Sequence, residues 1–197
     1  MELALVDFDH TVTTCDTYAR FLRRVATPEQ ITSSRWSIGP WVAGYRLGVV
    51  SATALRVRAT RLVFAGREAS EIKAAGADYA GRELPGLVRP EMMERIAAHR
   101  ERGHTVVIVS GSLDVYLAPW CRRHGLELIC NRLESVDGRL TGRYAGGDRG
   151  GHKVADILAR YDLSRYERVH AYGDSREDRA MLALAHERWW RGRRACA

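Results

Sequence analysis

Short apolar runs alternate along most of the chain with segments in which apolar residues recur at helical spacing. Nearly continuous apolar runs are typical of strands buried on both faces of a parallel sheet. Strands are predicted at residues 3–8, 105–109, 126–130 and 168–172, with a short last strand at 187–190. Helices are predicted between them at residues 90–103, 113–124, 153–161 and 176–185. Residues 131–144 alternate around Asp137-Gly138, a dipeptide that favours a tight hairpin turn. The pattern predicts an α/β fold, a Rossmann-like parallel sheet with helices on both faces.

One long segment after the first strand departs from this alternation. Residues 16–82 contain no strand pattern. Helical spacing recurs within them near residues 18–25, 51–63 and 72–79. We therefore predict a core formed by residues 1–15 and 83–197, with a small helical insertion at 16–82.

The candidate site lies in the residues that directly follow the strands, because ligands of such sheets bind outside the carboxyl ends of the strands. Asp7 and Asp9 lie at the carboxyl end of the first strand, and their side chains project to the same side of an extended chain. Ser110 and Gly111 follow the second strand, where a hydroxyl and backbone N–H groups at a helix N-terminus suit an anion. The other candidates are Lys153, after a glycine-rich loop at 146–151, and Asp174 and Asp178, after the fourth strand.

Each of these residues has an ordinary structural explanation when taken alone. Asp174 or Ser110 could cap a helix, and a lone lysine such as Lys153 usually lies on a helix surface. Several carboxylates that converge on one crevice repel each other, however, unless a cation lies among them, and Mg²⁺ prefers oxygen ligands. A lysine and N–H donors that face them suit a phosphate. The combination therefore predicts magnesium-dependent phosphate chemistry.

The same residues carry a resemblance to a known family. The sequence resembles the haloacid dehalogenase superfamily hydrolases of subfamily IB, the subgroup similar to phosphoserine phosphatase. Four motifs match in the family's order: Asp7-Phe8-Asp9-His10-Thr11, Val109-Ser110-Gly111-Ser112, Lys153, and Gly173-Asp174-Ser175 with Asp178. The resemblance implies that the insertion at 16–82 is the family's cap.

The resemblance also implies a role for each matching residue. Asp7 is the implied nucleophile, and Asp9 is the implied general acid and base. The implied ligands of Mg²⁺ are Asp7, Asp174 and the backbone carbonyl of Asp9, with Asp178 in support. The implied phosphate-binding residues are Thr11, Ser110, Gly111 and Lys153. The expected reaction is hydrolysis of a small phosphorylated metabolite through an aspartyl phosphate, which divides a difficult hydrolysis into two easier steps. His10 replaces a small residue of many relatives and is interpreted as an exposed side chain.

Composition narrows the class of protein. The chain has 197 residues, 46% of them hydrophobic, and a net charge of +7, which fits one domain with an insertion. The basic charge is spread along the chain apart from a cluster at 188–194, so a solvated basic surface is favoured and nucleic acid is not an expected partner. With no apolar stretch long enough to span a membrane and no leader pattern, a cytoplasmic protein is expected. Four cysteines lack disulfide or zinc spacing and are expected to be reduced: Cys15, Cys121, Cys130 and Cys196.

Three alternatives remain open at this stage. A phosphotransferase that passes the phosphoryl group to an alcohol would use the same residues. The aromatic segment at 36–50 could lie on a lipid interface, which would make a phosphorylated lipid head group a substrate. A non-enzymatic binder of anionic surfaces is a third reading. Packing between insertion and core is the favoured role for five aromatic residues: Trp36, Trp41, Tyr45, Trp189 and Trp190.

Overall fold

A six-stranded sheet forms the centre of the molecule. The computed structural model describes residues 1–195, apart from the side chain of Arg35, so Cys196 lies outside the described residues. The strands are β1 (Glu2–Val6), β2 (Thr105–Leu113), β3 (Glu127–Asn131), β4 (Leu133–Val136), β5 (Arg139–Tyr144), β6 (Arg168–Gly173), β7 (Glu187–Trp190) and β8 (Arg193–Arg194). The sheet has the order β3-β2-β1-β6-β7-β8, and all neighbours are parallel except β8, which is antiparallel to β7. The predicted parallel α/β fold is confirmed.

Residues 17–82 fold as a run of helices. These helices are α1 (Thr17–Val25), α2 (Pro28–Ser37), α3 (Gly39–Arg46), α4 (Ala52–Phe64) and α5 (Ala69–Arg82). The sequence pattern misses α2 and α3, because Thr27-Pro28 and Gly39-Pro40 resemble breaks. Thr27 is instead the N-cap of α2, and each proline lies in the first turn of its helix, where its missing N–H costs nothing. The boundaries of a separate cap at residues 16 and 82 stay a prediction.

Helices cover both faces of the sheet, as predicted. Side chains of β1 alternate between two buried layers: Ala4 and Val6 lie in one, and Leu3 and Leu5 lie in the other. The first layer contains apolar residues of α6 (Pro90–Glu101), α7 (Asp114–His124) and the insertion. The second contains residues of α8 (Lys153–Arg160) and α9 (Arg179–Ala183). This two-sided burial explains why β1 is a continuous apolar run in the sequence.

The structure corrects two predicted boundaries near the carboxyl edge of the sheet. β2 continues beyond residue 109 to Leu113, so Ser110 and Gly111 lie in an irregular end of the strand and not at a helix N-terminus. The predicted helix at 176–185 is a single turn at Arg176–Asp178 followed by the short α9. The predicted hairpin is confirmed, since Asp137 and Gly138 have φ angles of 49° and 78° between β4 and β5.

The predicted packing of aromatic residues between insertion and core is wrong for Trp36 and Tyr45, which are 85% and 48% exposed on α2 and α3. These two helices pack against α4. The guanidinium of Arg58 lies 4.9 Å from the ring of Trp41, so this contact is within the insertion. Trp189 stacks on Tyr172 at 5.9 Å, a contact within the core and not with the insertion. None of the helices within residues 1–195 is long and apolar enough to cross a membrane.

Two glycines of α5 offer a matched test of how the insertion packs on the core. A Cβ at Gly76 would lie 2.4 Å from the backbone oxygen of Val115 in α7, whereas a Cβ at Gly81 would meet only a side-chain nitrogen of Arg123 at 3.6 Å. Gly76→Ala is therefore expected to lower the free energy of unfolding by about 1–3 kcal/mol through overpacking. Gly81→Ala should leave it unchanged or raise it by about 0.5–1 kcal/mol, because alanine favours helices. Urea denaturation of both variants measures the difference, and equal stabilities would contradict this packing.

Candidate active site

Asp7 stands at the carboxyl end of β1, in the middle of the sheet. Its backbone N–H donates to the carbonyl of Tyr172 at 2.9 Å, which extends the pairing of β1 with β6 by one residue. The chain then turns sharply over Phe8–Val12, with His10 at a φ angle of 60°. The turn is closed by Thr13, whose N–H and hydroxyl donate to the carbonyl of Phe8 at 3.0 and 3.2 Å. Asp7 is thus fixed by the sheet on one side and a closed turn on the other.

Lys153 joins two of the predicted carboxylates. Its Nζ donates to Oδ1 of Asp7 and Oδ1 of Asp178, both at 2.6 Å, and the lysine is only 4% exposed. The other oxygen of Asp178 accepts from the backbone N–H groups of Asp174 and Ser175 at 3.1 and 2.9 Å. Burial alone would lower the pKa of Lys153, but Asp7 and Asp178 raise it, so the lysine stays charged. The acidic loop after β6 therefore positions the cation beside Asp7.

The carboxylates create an excess of buried negative charge. Burial raises the pKa of Asp7, and Asp178 and Asp9 add to the rise while Lys153 opposes it. Burial, followed by the charge of Asp178, also raises the pKa of Asp174. Burial alone would raise the pKa of Asp178, but Lys153 holds it below its usual value. One lysine therefore offsets only part of this charge.

The donor set suits a hard divalent cation. One carboxylate oxygen from each of Asp7, Asp174 and Asp178 lies within 4.8 Å of the others. Oxygen donors of this kind are the ligands that Mg²⁺ prefers. The charge of the ion would neutralise the negative charge of the carboxylates that Lys153 leaves unbalanced. The residues present therefore fit the predicted magnesium.

The side chain of Asp9 is held by different partners. Its Oδ1 accepts from the N–H and the hydroxyl of Thr17 at 2.7 and 2.5 Å, and its Oδ2 accepts from the hydroxyl of Ser112. Thr17 is the first residue of α1, so the insertion itself orients this carboxylate. Burial and the nearby Asp16 raise the pKa of Asp9, against the hydrogen bonds from Ser112 and Thr17. A raised pKa suits a group that gives and takes a proton near neutral pH.

The structure brings most of the predicted residues to one cavity of about 1380 Å³. Those that line it are Asp7, Asp9, Ser110, Gly111, Lys153 and Asp174. Asp178 is fully buried behind Lys153, as a supporting role requires. Thr11 is buried in the turn and is not among the residues that line the cavity, and phosphate binding by Thr11 stays a prediction. His10 is exposed, as interpreted, and lies at the cavity wall.

Two further residues of the site are not evident in the sequence. Asn131, at the end of β3, donates from Nδ2 to the carbonyl of Gly111 at 2.6 Å and to Oδ1 of Asp148 at 2.8 Å. Arg56 of α4 pairs with Asp148 at 2.9 Å and with Glu177 at 3.0 Å, and it lies against Gly111. Arg56 thereby ties the insertion to two loops of the core directly at the site. Neither residue belongs to a local motif, so only a tertiary contact could identify them.

Comparison with known proteins identifies the family. A family model of haloacid dehalogenase-like hydrolases matches residues 4–183.

The chain belongs to the haloacid dehalogenase-like hydrolases.

This match confirms the predicted superfamily. Individual proteins are also similar to the chain. Protein CicA of Caulobacter vibrioides is 31% identical, over 96% of this chain and 85% of its own length. A Bordetella pertussis protein of unknown function has a similar structure, with a TM-score of 0.80, 24% identity, and coverage of 95% of this chain and 88% of its own. A phosphoserine phosphatase, solved as a phospho-aspartyl intermediate analogue, has a TM-score of 0.63, 20% identity, and coverage of 94% and 84%. The predicted likeness to phosphoserine phosphatase is thus confirmed at the level of the fold.

Proposed function

We propose that this hydrolase is a magnesium-dependent phosphomonoesterase that forms an aspartyl phosphate on Asp7. The observation that carries the proposal is the hydrogen bonding of the Asp7 carboxylate, which lines the cavity. Its Oδ1 is held by Lys153, while Oδ2 has no hydrogen bond within the described residues and is available to attack. The phosphoserine phosphatase of similar fold was solved as an analogue of a phospho-aspartyl intermediate, which supports the same chemistry here.

The reaction follows from the roles of two carboxylates. Oδ2 of Asp7 attacks phosphorus, the bond from phosphorus to the leaving oxygen breaks, and Asp9 donates its proton to that oxygen. Asp9 then accepts a proton from water as the water oxygen attacks the aspartyl phosphate, which releases phosphate and restores Asp7. Lys153, Ser110 and the N–H of Gly111 bind the phosphoryl oxygens throughout. The first step removes one proton from Asp9 and the second step returns one, so the protein ends the cycle with the protons that it had at the start.

Asp7, Asp174 and the backbone carbonyl of Asp9 would hold the magnesium, with Asp178 in support. When bound, Mg²⁺ supplies positive charge against the phosphate oxygens and the clustered carboxylates. Removal of metal by dialysis against EDTA is expected to lower phosphate release more than about a hundredfold, and added Mg²⁺ should restore it. Phosphate release with p-nitrophenyl phosphate measures this, and full activity of the metal-free protein would contradict the metal site.

The lining of the cavity supports a proposal on the class of substrate. The insertion contributes a group of apolar side chains to it: Leu22, Ile38, Val42, Val50, Leu55, Leu62 and Val63. It also contributes polar and charged ones: Arg23, Gln30, Ser34, Arg46, Ser51 and Arg56. We propose a small phosphorylated metabolite whose leaving group is at least partly apolar. A phosphate-release screen across sugar, amino-acid, nucleotide and alkyl monophosphates tests this. Preference for the most polar leaving groups would contradict it.

The exposed apolar residues favour a second candidate, a phosphorylated lipid at a membrane surface. Trp36, Leu47 and Val49 are 85%, 79% and 80% exposed and belong to the part of the insertion that also lines the cavity. If this candidate holds, Trp36→Gln should reduce sedimentation with anionic vesicles and hydrolysis of a long-chain phosphomonoester, with p-nitrophenyl phosphate turnover unchanged. Absence of vesicle binding by the unmodified protein would exclude it.

A further inference from the structure

A cluster of three histidines and one glutamate lies at the end of the sheet opposite the catalytic residues. Glu2 begins β1, His104 directly precedes β2, His170 lies in β6, and His99 lies in the last turn of α6. At a strand rise of about 3.3 Å per residue, Glu2 is about 16 Å from Asp7 along β1. The proposed phosphatase mechanism uses none of these four residues. Glu2 and His170 are far from His99 and His104 in the sequence, and only the fold brings all four together.

One ring nitrogen from each of His99, His104 and His170 lies within 4.8 Å of the others, and Oε2 of Glu2 approaches two of these histidines. Nδ1 of His99 lies 2.9 Å from Nδ1 of His104, which lies 3.6 Å from Oε2 of Glu2. The same oxygen lies 2.6 Å from Nε2 of His170. A tetrahedral zinc ion with ligands at about 2.0–2.2 Å separates neighbouring ligand atoms by about 3.3 Å. The contacts at 2.9 and 2.6 Å are hydrogen-bond distances shorter than that value, so a bound ion would separate these atoms slightly.

The surroundings of the cluster match those of a metal centre. His99 and His170 are 6% and 8% exposed, so water has little access to their rings. The second nitrogen of His99 lies 2.8 Å from the hydroxyl of Tyr172, and the second nitrogen of His170 lies 3.7 Å from a carboxylate oxygen of Glu187. Metal-binding histidines usually have such a partner on the nitrogen that does not bind the ion, because it fixes the ring's orientation.

We propose that His99, His104 and His170 bind one zinc ion and that Glu2, which contacts two of these histidines, supplies the fourth ligand. Imidazole and carboxylate donors suit zinc, and four ligands from the protein close its coordination shell. A closed shell makes this a structural site and not a second catalytic centre. The ion would join β1, β6, α6 and the start of β2 at the amino-terminal edge of the sheet.

The spectrum of bound cobalt tests the site independently of activity. The full chain is freed of metal with EDTA, given excess Mg²⁺ to occupy the carboxylate site, and titrated with Co²⁺. Tetrahedral Co²⁺ with nitrogen ligands absorbs visible light strongly, whereas Co²⁺ among six oxygen ligands absorbs weakly. We expect one equivalent of strongly absorbing Co²⁺, displaced by one equivalent of Zn²⁺.

Thermal unfolding gives a second measurement of the same site. At a free zinc concentration of about a hundred times the Kd, zinc should raise the Tm of the protein by about 5–10 °C. A protein that binds no ion with this spectrum has only a hydrogen-bonded histidine cluster, and the proposal fails.

Matched variants assign the ligands. Glu2→Gln keeps the size of a partly exposed side chain and should weaken zinc binding at least about tenfold, as should His104→Gln. The control is His124→Gln, which changes a histidine that packs on Trp120 outside the cluster and should bind zinc normally. Near-UV circular dichroism reports whether each variant is folded. The assignment would be overturned if both Glu2→Gln and His104→Gln bind zinc normally. It would also be overturned if His124→Gln weakens zinc binding as much as they do.

Discussion

Replacing Asp7 with asparagine is expected to lower kcat by about 10⁴–10⁶, the largest effect of any single change in this chain. Loss of the nucleophile in a comparable covalent mechanism costs on this order. Asparagine keeps the size of the side chain, and Lys153 retains its second partner, Asp178, at 2.6 Å. Release of phosphate from p-nitrophenyl phosphate, measured at saturating substrate, gives the fall in kcat. A rate within tenfold of the unmodified enzyme would show that Asp7 is not the nucleophile.

The same variant makes a prediction about stability. Burial and the nearby carboxylates raise the pKa of Asp7, which means that the folded state disfavours its charged form. Removing that charge in the metal-free protein should leave the free energy of unfolding unchanged or increase it. Asp137→Asn is the matched control, because Asp137 is exposed in the hairpin turn and asparagine tolerates its φ angle of 49°. It should change neither kcat nor stability.

The parts of the site that could be predicted share one physical cause. Parallel strands end at the same edge of a sheet, so residues distant in sequence can be brought together once the strands are recognised. Asp7 and Asp174 follow buried apolar strands, and Lys153 follows a glycine-rich loop. Their proximity in the structure, with Lys153 beside Asp7 at 2.6 Å, agrees with this simple rule.

The parts that could not be predicted depend on contacts between elements. Arg56 looks like an ordinary arginine of an amphipathic helix until α4 is placed over Asp148 and Glu177. Asn131 ends a strand without any motif, yet its amide supports Gly111. In the histidine cluster only His99 and His104 have a spacing found in zinc motifs, and Glu2 and His170 join them from distant strands. Local pattern contains no information on such long-range pairings.

The prediction missed the helices α2 and α3 for a more local reason. Proline was interpreted as a break at residues 28 and 40, although a proline in the first turn begins a helix equally well. The resulting helices α2 and α3 have no strong apolar stripe, because they contact α4 and leave Trp36 and Tyr45 in solvent. We propose that α2 and α3, which expose apolar residues near the cavity, take part in substrate selection, while residues outside the insertion carry the chemistry.

Asp9→Asn is expected to lower kcat by about 10²–10⁴, because Asp9 is the proposed general acid and base. Asparagine can preserve the present contacts: its Oδ1 can accept from the N–H and hydroxyl of Thr17, and its Nδ2 can donate to Ser112. Orientation is therefore kept while proton transfer is lost. The turn that positions Asp7 should remain closed, since it depends on Thr13 and not on the Asp9 side chain.

The two steps should be affected unequally. The leaving group of p-nitrophenyl phosphate needs little protonation, so attack by Asp7 should be slowed less than the hydrolysis that requires a base. Aspartyl phosphate is thus expected to accumulate in Asp9→Asn, and rapid quenching followed by intact-mass measurement should detect one added phosphoryl group. The double variant with Asp7→Asn should show no added phosphoryl group, because the carboxylate that would form the aspartyl phosphate is missing. Normal turnover of Asp9→Asn, or a phosphoryl group on any residue other than Asp7, would refute the division of roles, since loss of the base that activates water must leave the intermediate on the nucleophile.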